Sequence, residues 1–385
     1  MTIKKSGIFT KVVHGSHPER IKGAVNTPIF QASTFLTTKV GQPEDVRYTR
    51  LNNNPSQLAV SQKIADLENT EAAVVTASGM AAITTALMSV LNAGDHVLFQ
   101  RSLYGGTHAF AVNDLPAMGI AFDFVDASDP DNWKAKLRPE TRAIYVESIT
   151  NPTMEVVDFA EVIRFQKAHN LISLIDNTFA SPVNFRPAEI GFDIVLHSCT
   201  KYLNGHSDII AGAICGSESQ IANTLPKLNR LGGSLDPHAC FLLERGMKTL
   251  AVRMAQHNRN AMDLGQFLVG HPKVLKVNYP GLPASSTFRM ARRFFDGYGG
   301  MLSFEVSGGA DAALQLVQSL ELAIFAPSLG SVETLVTLPA QTSHIGMTPA
   351  ERQALGISDG LIRVSVGIES TGDLISDFAR ALSEI

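Results

Sequence analysis

A lysine and an aspartate in this sequence each follow a short apolar run, at the kind of position where a strand ends. Lys201 comes shortly after the run 194–196, and Asp176 closes the run 171–175. A free lysine amine titrates near roughly 10.4, so burial or a cationic neighbour would be needed to make it reactive near neutrality. A reactive amine can hold an aldehyde as an imine, and a carboxylate that closes an apolar run needs a partner. The pair therefore predicts covalent carbonyl chemistry at neighbouring strand ends.

A second candidate site is the turn formed by Ser78, Gly79 and Met80, inside an uncharged segment that runs from 72 to 94. We predict a strand over 72–76 and a helix over 80–91. A helix N-terminus offers unpaired backbone donors and a positive dipole end, and glycine lets an anion approach closely. A serine in this position more commonly just caps the helix. The pattern is thus compatible with a phosphate site and with a simple cap.

An amine, a carboxylate and phosphate donors are what pyridoxal phosphate needs from a protein. A lone lysine after a strand is more often simply solvated, but here the nine residues from Asp193 to Lys201 read Asp-Ile-Val-Leu-His-Ser-Cys-Thr-Lys. This stretch resembles the cofactor-attachment signature of the Cys/Met-metabolism family of pyridoxal phosphate enzymes. That family includes cystathionine gamma-synthases, cystathionine lyases, methionine gamma-lyases and homoserine-ester sulfhydrylases. The resemblance covers nearly the whole chain, from Thr10 to Gly367.

The resemblance implies a role for each matching residue. Lys201 would carry the cofactor, Asp176 would pair with its pyridine nitrogen, and Tyr104 would stack on the ring and assist proton transfer. The residues matched to the cofactor phosphate are Gly79, Met80, Ser198 and Thr200, next to Ser78 of the same turn, while Asn151 is matched to the ring oxygen, Arg363 to the α-carboxylate of the substrate and Ser328 to the wall of the active site.

Tyr48 and Arg50 are matched to residues that reach the cofactor phosphate of a neighbouring subunit. A guanidinium suits that role because it binds phosphate through directed, charge-assisted hydrogen bonds. The resemblance therefore implies a homo-oligomer with shared active sites, typically a tetramer that is a dimer of dimers. Taken alone, the same two residues would be read as an ordinary exposed loop.

Three of the other matched residues also have ordinary structural alternatives. Tyr104 precedes two glycines and could be a turn residue with a half-buried ring. Asn151 precedes a proline and could simply end a strand. Arg363 lies among apolar residues and could face water from an edge strand.

The activity implied by the resemblance is carbon–sulfur chemistry on a small amino acid. The freed Lys201 amine would remove the α proton and then help to expel a leaving group at the β or γ carbon. Capture of a thiol would give γ-replacement, and reaction with water would give elimination with release of ammonia and an oxo acid.

Three positions bear on the choice of substrate. Pro327 stands where cystathionine gamma-synthases and gamma-lyases commonly carry an acidic residue, Gly106 where methionine gamma-lyases have a cysteine, and Leu329 where enterobacterial cystathionine beta-lyases have tryptophan. We expect a gamma-synthase/gamma-lyase relative, with methionine gamma-lyase, cystathionine beta-lyase and homoserine-ester sulfhydrylase as alternatives. An aminotransferase is a more distant alternative, and a non-catalytic relative or a nicotinamide oxidoreductase has less support.

Bulk properties favour a large enzyme and exclude several other classes. The chain has 385 residues and a formal charge of -4, without the basic clusters of nucleic-acid-binding proteins. The three cysteines show no disulfide framework and no Cys-x-x-Cys zinc pattern, so we expect a reducing compartment, the cytoplasm, and no metal. The uncharged segment 72–94 is long enough for a membrane span, but its hydroxyl-bearing residues favour a buried strand, turn and helix.

Apolar runs that alternate with helical stretches must position these side chains. The runs are 97–99, 120–125, 143–146, 171–175, 194–196 and 209–214. They predict an α/β fold with a mainly parallel sheet wrapped by helices, whose ligands bind beyond the carboxyl ends of the strands. The resemblance implies fold type I, like aspartate aminotransferase. We predict an N-terminal arm over 1–60, which includes Pro18, Pro28, Pro43 and Pro55, a cofactor-binding domain over 61–249, and a smaller C-terminal domain over 250–385.

Overall fold

The computed structural model of the chain describes residues 6–15, 21–39, 42, 46–126, 129–343 and 345–385. Pro18 and Pro43, two prolines of the predicted arm, lie outside these residues. The described helices are α1 (Ile8–His14), α2 (Pro55–Glu68), α3 (Gly79–Val90), α4 (Gly105–Ala109), α5 (Pro130–Lys136), α6 (Phe159–His169), α7 (Ser181–Asn184), α8 (Glu218–Leu231), α9 (Pro237–Met247), α10 (Leu250–Val269), α11 (Phe288–Phe294), α12 (Gly309–Ser319), α13 (Pro349–Ala354) and α14 (Thr371–Ser383).

The strands form two sheets. The described strands are β1 (Ala72–Thr76), β2 (His96–Gln100), β3 (Ala121–Val125), β4 (Thr141–Glu147), β5 (Ile172–Asp176), β6 (Ile194–Ser198), β7 (Gly212–Gly216), β8 (Val274–Asn278), β9 (Met301–Val306), β10 (Ile324–Phe325), β11 (Leu335–Thr337) and β12 (Leu361–Ser365). The strand order is β1-β7-β6-β5-β4-β2-β3 in the larger sheet and β10-β11-β12-β9-β8 in the smaller one.

The larger sheet is parallel except at β7, which pairs antiparallel with both β1 and β6. Successive side chains along its strands enter two different apolar layers, because the side chains of a strand alternate between its faces. In β4, Ile144 and Val146 enter one layer, whereas Ala143 and Tyr145 enter the other. Burial on both faces explains why these strands read as continuous apolar runs. The predicted α/β fold with a mainly parallel sheet is confirmed.

Two of the predicted elements differ in their limits. The run 209–214 predicts a strand, yet β7 begins only at Gly212, and Ile210 is exposed in the segment before it. Pro55 was assigned to the arm, but it is the first residue of α2, a helix that is largely buried. Proline suits that position because the first turn of a helix does not need its N–H. The predicted boundary at residue 60 therefore falls inside α2, and the three-part division of the chain stays a prediction.

The smaller sheet lies in the C-terminal part of the chain, and α10, α12 and α14 pack around it. Its core contains Leu302, Phe304, Ile362, Val364 and Phe378, all fully buried. β12 is a central strand, paired antiparallel with β11 on one side and β9 on the other. None of the described helices combines the length and the apolar character needed to cross a bilayer.

Candidate active site

A cavity of about 670 Å³ opens at the carboxyl ends of β4, β5 and β6, where a parallel sheet is expected to bind ligands. It brings together most of the residues that the sequence singles out. Among those predicted, the lining residues are Ser78, Gly79, Met80, Tyr104, Asn151, Asp176, Ser198, Thr200, Lys201, Ser328 and Arg363.

Lys201 lies three residues beyond the end of β6, and its amine faces the cavity. The Nζ atom donates a hydrogen bond to Oγ of Ser328 at 2.6 Å. Burial lowers the pKa of this amine to about 8, and the charge of Arg363 contributes to the same shift. A lysine with its pKa near neutrality is partly unprotonated, which a nucleophile or general base requires.

Asp176 ends β5 and also faces the cavity. Its Oδ1 atom accepts a hydrogen bond from the backbone N–H of Thr178 at 2.9 Å. Burial nevertheless raises the pKa of this carboxyl group, and no lysine or arginine in the described part of the chain forms a salt bridge with it. Asp176 is half-buried, and the nearby imidazole of His197 offsets the effect of burial only in part, so a cationic ligand in the cavity would stabilise the carboxylate.

The turn before α3 is both a helix cap and an anion cradle. Ser78 is the N-cap residue, and its hydroxyl accepts from the N–H of Ala81 at 3.0 Å. The N–H groups of Gly79 and Met80 follow at the first two helical positions, which have no partner inside a helix. A Cβ atom at Gly79 would lie 2.8 Å from Cβ of Ser198. The cavity therefore reaches the backbone here because residue 79 has no side chain.

Ser198 and Thr200, the two hydroxyl residues expected at the phosphate, are held by hydrogen bonds near the end of β6. Ser198 is at the end of β6, where its N–H donates to Oγ1 of Thr178 at 2.8 Å. Thr200 uses its hydroxyl within the chain, donating to O of Ala211 at 3.1 Å and accepting from its N–H at 3.0 Å. The Thr200 hydroxyl oxygen still lines the cavity and has a second lone pair for a further contact.

Arg363 is held in a fixed direction toward the cavity. On the central strand β12, its guanidinium donates to Oδ1 of Asn151 and to the carbonyl oxygen of Ser328, both at 3.0 Å. Its buried Nε has no hydrogen-bond partner among the described residues. The solvent-facing edge-strand alternative for Arg363 is wrong, because β12 has neighbours on both sides and the side chain is buried.

Ser328 joins the two cationic residues of the cavity. Its hydroxyl accepts from Lys201 and its carbonyl from Arg363. The residue has a φ of 89°, a strained backbone conformation for any residue other than glycine. Such strain persists only where the surrounding contacts enforce it, and it is often found at functional sites.

Sequence reasoning missed Glu147, which lies deep in the cavity at the end of β4. Its Oε1 atom accepts a hydrogen bond from the backbone N–H of Tyr104 at 2.6 Å, so it fixes the segment that carries the tyrosine. Glu147 closes the apolar run 143–146, the same signal that identified Asp176. Thr178 was missed as well, because its contacts depend on the pairing of β5 with β6.

Tyr48 and Arg50 are the predicted site residues that do not line the cavity of their own chain. Both are exposed in the described part of the arm. The guanidinium of Arg50 instead donates to the carbonyl oxygen of Asn229 at 3.0 Å. Their predicted role at a neighbouring subunit stays a prediction.

The cavity fits pyridoxal phosphate on three independent points. Asp176 forms no salt bridge with a lysine or arginine of the described residues while burial raises its pKa, and a pyridinium would supply a cation. The backbone at Gly79 and Met80 offers free donors in a space that a side chain would fill. Lys201 provides an amine with a lowered pKa in the same cavity.

Comparison with known proteins agrees with this geometry. The family model described as "Cys/Met metabolism PLP-dependent enzyme" matches residues 9–383. The chain is 42% identical to a cystathionine beta-lyase of Coxiella burnetii over 383 residues, which is 98% of each chain. It is 39% identical to an L-methionine gamma-lyase of Treponema denticola over 395 residues, covering 100% of this chain and 98% of the relative.

A solved structure gives the same result. The cystathionine gamma-lyase from Lactobacillus plantarum, complexed with L-serine, superposes with a TM-score of 0.94 at 39% identity and with 99% of each chain covered. The predicted cofactor, fold type and enzyme class are thereby confirmed, since the family and these relatives are pyridoxal phosphate-dependent carbon–sulfur enzymes. The chain belongs to the Cys/Met metabolism family of pyridoxal phosphate-dependent enzymes.

Proposed function

We propose that the protein cleaves the carbon–sulfur bond of a thioether amino acid by β- or γ-elimination, with cystathionine as the first candidate substrate. The observation that carries this proposal is that Lys201, Asp176 and Arg363 all line one cavity. Similarity alone does not select the substrate, because relatives named for cystathionine and for methionine match at nearly the same identity.

Each of these three residues has one task in the proposed reaction. Pyridoxal phosphate, when bound, withdraws electrons from the α carbon of an amino acid and makes its proton labile. Asp176 would hold the negative charge that the ring nitrogen requires. Arg363 would bind the α-carboxylate, since a guanidinium pairs with a carboxylate through two parallel hydrogen bonds. Asn151 and Ser328 already fix its orientation.

Lys201 would move protons between the substrate carbons. Its pKa of about 8 lets the Nζ atom take up a proton and return it near neutral pH. Ser328 accepts a hydrogen bond from the same Nζ and so holds the amine at the cavity wall. Tyr104, whose backbone is tied to Glu147, would act at the leaving group.

The residues that line the cavity suit the thioether side chain of a substrate. Ile210, Pro327 and Leu329 give it apolar contacts, while Thr342 and Ser343 give it hydroxyls. Glu147 and Asp176 are the acidic residues among the described lining, and both belong to the cofactor end. A distal amino group would therefore be met by hydroxyl and backbone groups.

Product identification tests the proposal. Cystathionine, methionine, cysteine and acylated or phosphorylated homoserine are supplied separately, with and without a thiol. We expect an oxo acid, ammonia and a thiol from cystathionine, with lower turnover of methionine. Formation of pyridoxamine phosphate and keto acid alone would identify an aminotransferase and refute the proposal.

We also propose that two copies of the chain share each active site. This is supported by the position of Tyr48 and Arg50, which are exposed and away from their own cavity. Exposed apolar side chains on the same arm also support it, among them Val25 and Leu36, the latter 93% exposed. Several exposed apolar residues on one arm, here also Ile29 and Val46, would suit a segment that packs against another chain. A tetramer would be a pair of such dimers.

A mixing experiment tests the shared site. Lys201→Ala and Arg50→Ala are each expected to be nearly inactive alone. A hybrid dimer would contain one site with both residues intact, so mixing the variants would restore activity. If mass spectrometry shows hybrids and no activity returns, Arg50 does not serve the neighbouring site.

The cytoplasm remains our proposed location. It is supported by Cys199, Cys215 and Cys240, which are all free and buried thiols. Proteins of reducing compartments keep their thiols in this state.

A further inference from the structure

Two carboxylates lie side by side at the cofactor end of the cavity. Glu147 and Asp176 are paired residues in the register of β4 with β5, so they lie on the same face of the sheet at its carboxyl edge. The backbone strengthens this contact, since the N–H of Ser148 donates to the carbonyl oxygen of Asp176 at 2.9 Å. The two acidic side chains are therefore held as neighbours by the sheet itself.

Glu147 has one oxygen that is already occupied. Its Oε1 accepts from the N–H of Tyr104, and its own N–H donates to Oε1 of Gln100 at 2.9 Å. A carboxylic acid and a carboxylate can both accept the hydrogen bond from Tyr104. The positioning of Tyr104 consequently does not require Glu147 to be charged.

The surroundings disfavour two negative charges. Neither carboxyl group forms a salt bridge with a lysine or arginine in the described part of the chain. The hydroxyl of Tyr145 is buried near Thr107 and Asp176, and burial together with the charges of Asp176 and Glu147 raises the pKa of Tyr145 well above its usual range, so it brings no charge to the pair. Burial and the charge of Asp176 both raise the pKa of Glu147 well above its usual range. Adjacent buried carboxyl groups share protons for this reason.

We propose that Glu147 is a neutral carboxylic acid at working pH, which positions Tyr104 through one oxygen and leaves the single negative charge of the pair on Asp176. The inference rests on the proposed function, because it assigns that charge to the residue that faces the pyridinium. One cation then meets one anion in the buried site. A charged Glu147 would add an uncompensated charge and compete for the same cation.

Infrared spectroscopy of the cofactor-free protein tests this state directly. Protein labelled with carbon-13 at glutamate carboxyl groups is compared at neutral pH with unlabelled protein and with Glu147→Gln. We expect a carbonyl band of a protonated acid that shifts on glutamate labelling, is absent from Glu147→Gln and is present in the control Glu161→Gln, whose side chain pairs with Arg164 on α6. The absence of any such glutamate band would overturn the proposal.

Variants provide a second readout. Glutamine keeps an uncharged side chain with a carbonyl acceptor and an NH2 donor group, much as a neutral acid has a carbonyl acceptor and an O–H donor, whereas Asp176→Asn removes the remaining charge. We expect Glu147→Gln to bind the cofactor at least tenfold more tightly than Asp176→Asn does. The absorbance of the cofactor bound to Glu147→Gln should keep the pH dependence seen in the unsubstituted protein. Equal losses in both variants would contradict the assignment.

The two proposals fail separately. The infrared band is measured without cofactor and without substrate, so it is unaffected if cystathionine proves not to be cleaved. If the substrate panel shows carbon–sulfur cleavage while the infrared band of a protonated glutamate is missing, only the neutral state of Glu147 is refuted.

Discussion

Lys201 is a half-buried lysine and Lys63 a buried one, and both have a similarly lowered pKa in different surroundings. Burial is the main cause in each case and lowers each pKa to about 8. Lys63 lies on α2, is only 2% exposed and packs near Glu244 and Lys248. Its Nζ has no hydrogen-bond partner in the described part of the chain. Lys201 instead faces a cavity of about 670 Å³ and donates to Ser328.

A lysine amine with a lowered pKa therefore does not by itself make a functional site. Lys201 shares its cavity with a carboxylate that lacks a cation, a guanidinium fixed in direction and a helix N-terminus open to an anion. Lys63 packs between helices near Glu244 and Lys248 and is not among the residues that line this cavity. The energetic cost of burying an amine is similar in both places, but only at Lys201 can a ligand make use of it.

The largest expected effect separates the two lysines by function. Lys201→Ala removes the amine that would bind the cofactor and carry protons, and we expect turnover to fall by about 10³-fold or more. Lys63→Met is the matched control and should keep covalently bound cofactor. Steady-state kinetics and the absorbance of the bound cofactor measure both variants. If Lys63→Met lost the bound cofactor while Lys201→Ala retained it, Lys63 rather than Lys201 would be the lysine that binds the cofactor.

The next largest effect is expected at Arg363, the cationic neighbour of Lys201 in the cavity. Arg363→Gln removes the expected partner of the substrate carboxylate, which costs about 3 kcal/mol, or about 10²-fold in kcat/KM. Arg363→Lys should recover only part of this, because an ammonium cannot form the bidentate pair. Kinetics on a carboxylate substrate and on its amide measure the effect. An equal loss on both substrates would show that Arg363 does not bind the carboxylate.

A smaller effect is expected at the anion cradle. Gly79→Ala places a Cβ atom 2.8 Å from that of Ser198, so the backbone must shift where phosphate would bind. We expect cofactor affinity to fall by about tenfold. Pyridoxal without its phosphate is the control ligand, and its affinity should change less. An equal change for both ligands would place the phosphate elsewhere.

The smallest effect concerns stability and isolates Lys63. Its folded pKa of about 8 lies below the ordinary lysine pKa of 10.5, so the unfolded chain binds more protons between these values. The penalty is fully present below about pH 8, and stability is regained as pH rises toward 10.5. Lys63→Met should therefore stabilise the cofactor-free protein at pH 7 by about 1–3 kcal/mol, and the gain should shrink at pH 10.

Denaturant unfolding at the two pH values measures this gain. Lys134→Met, a change at an exposed lysine of α5, is the control and should show no such dependence on pH. A gain for Lys63→Met that is equal at pH 7 and pH 10 would mean that the amine is not the cause.

The sequence predicted the elements that depend on local pattern. Asp176 and Lys201 follow apolar runs, and the structure brings both to one edge of the sheet because parallel strands end together. The predicted helix after Ser78 is α3, one residue earlier than expected at each end. These predictions hold because burial on both faces of a sheet leaves a continuous apolar run.

Other features depend on contacts between distant segments and could not be read from the chain. Ser328, which has a positive φ, is hydrogen-bonded to Lys201 and Arg363, which are 127 and 35 positions away. The antiparallel direction of β7 also has no local signal. Glu147 is different, since it closes an apolar run as Asp176 does and was open to prediction.

Lys201, and not the buried Lys63, is the residue expected to bind the cofactor. Borohydride reduction of the pyridoxal phosphate-loaded protein, followed by peptide mapping, tests this assignment most directly. We expect the reduced adduct on the peptide that contains Lys201, and none on the peptide that contains Lys63. An adduct on Lys63, or no adduct at Lys201, would contradict the account.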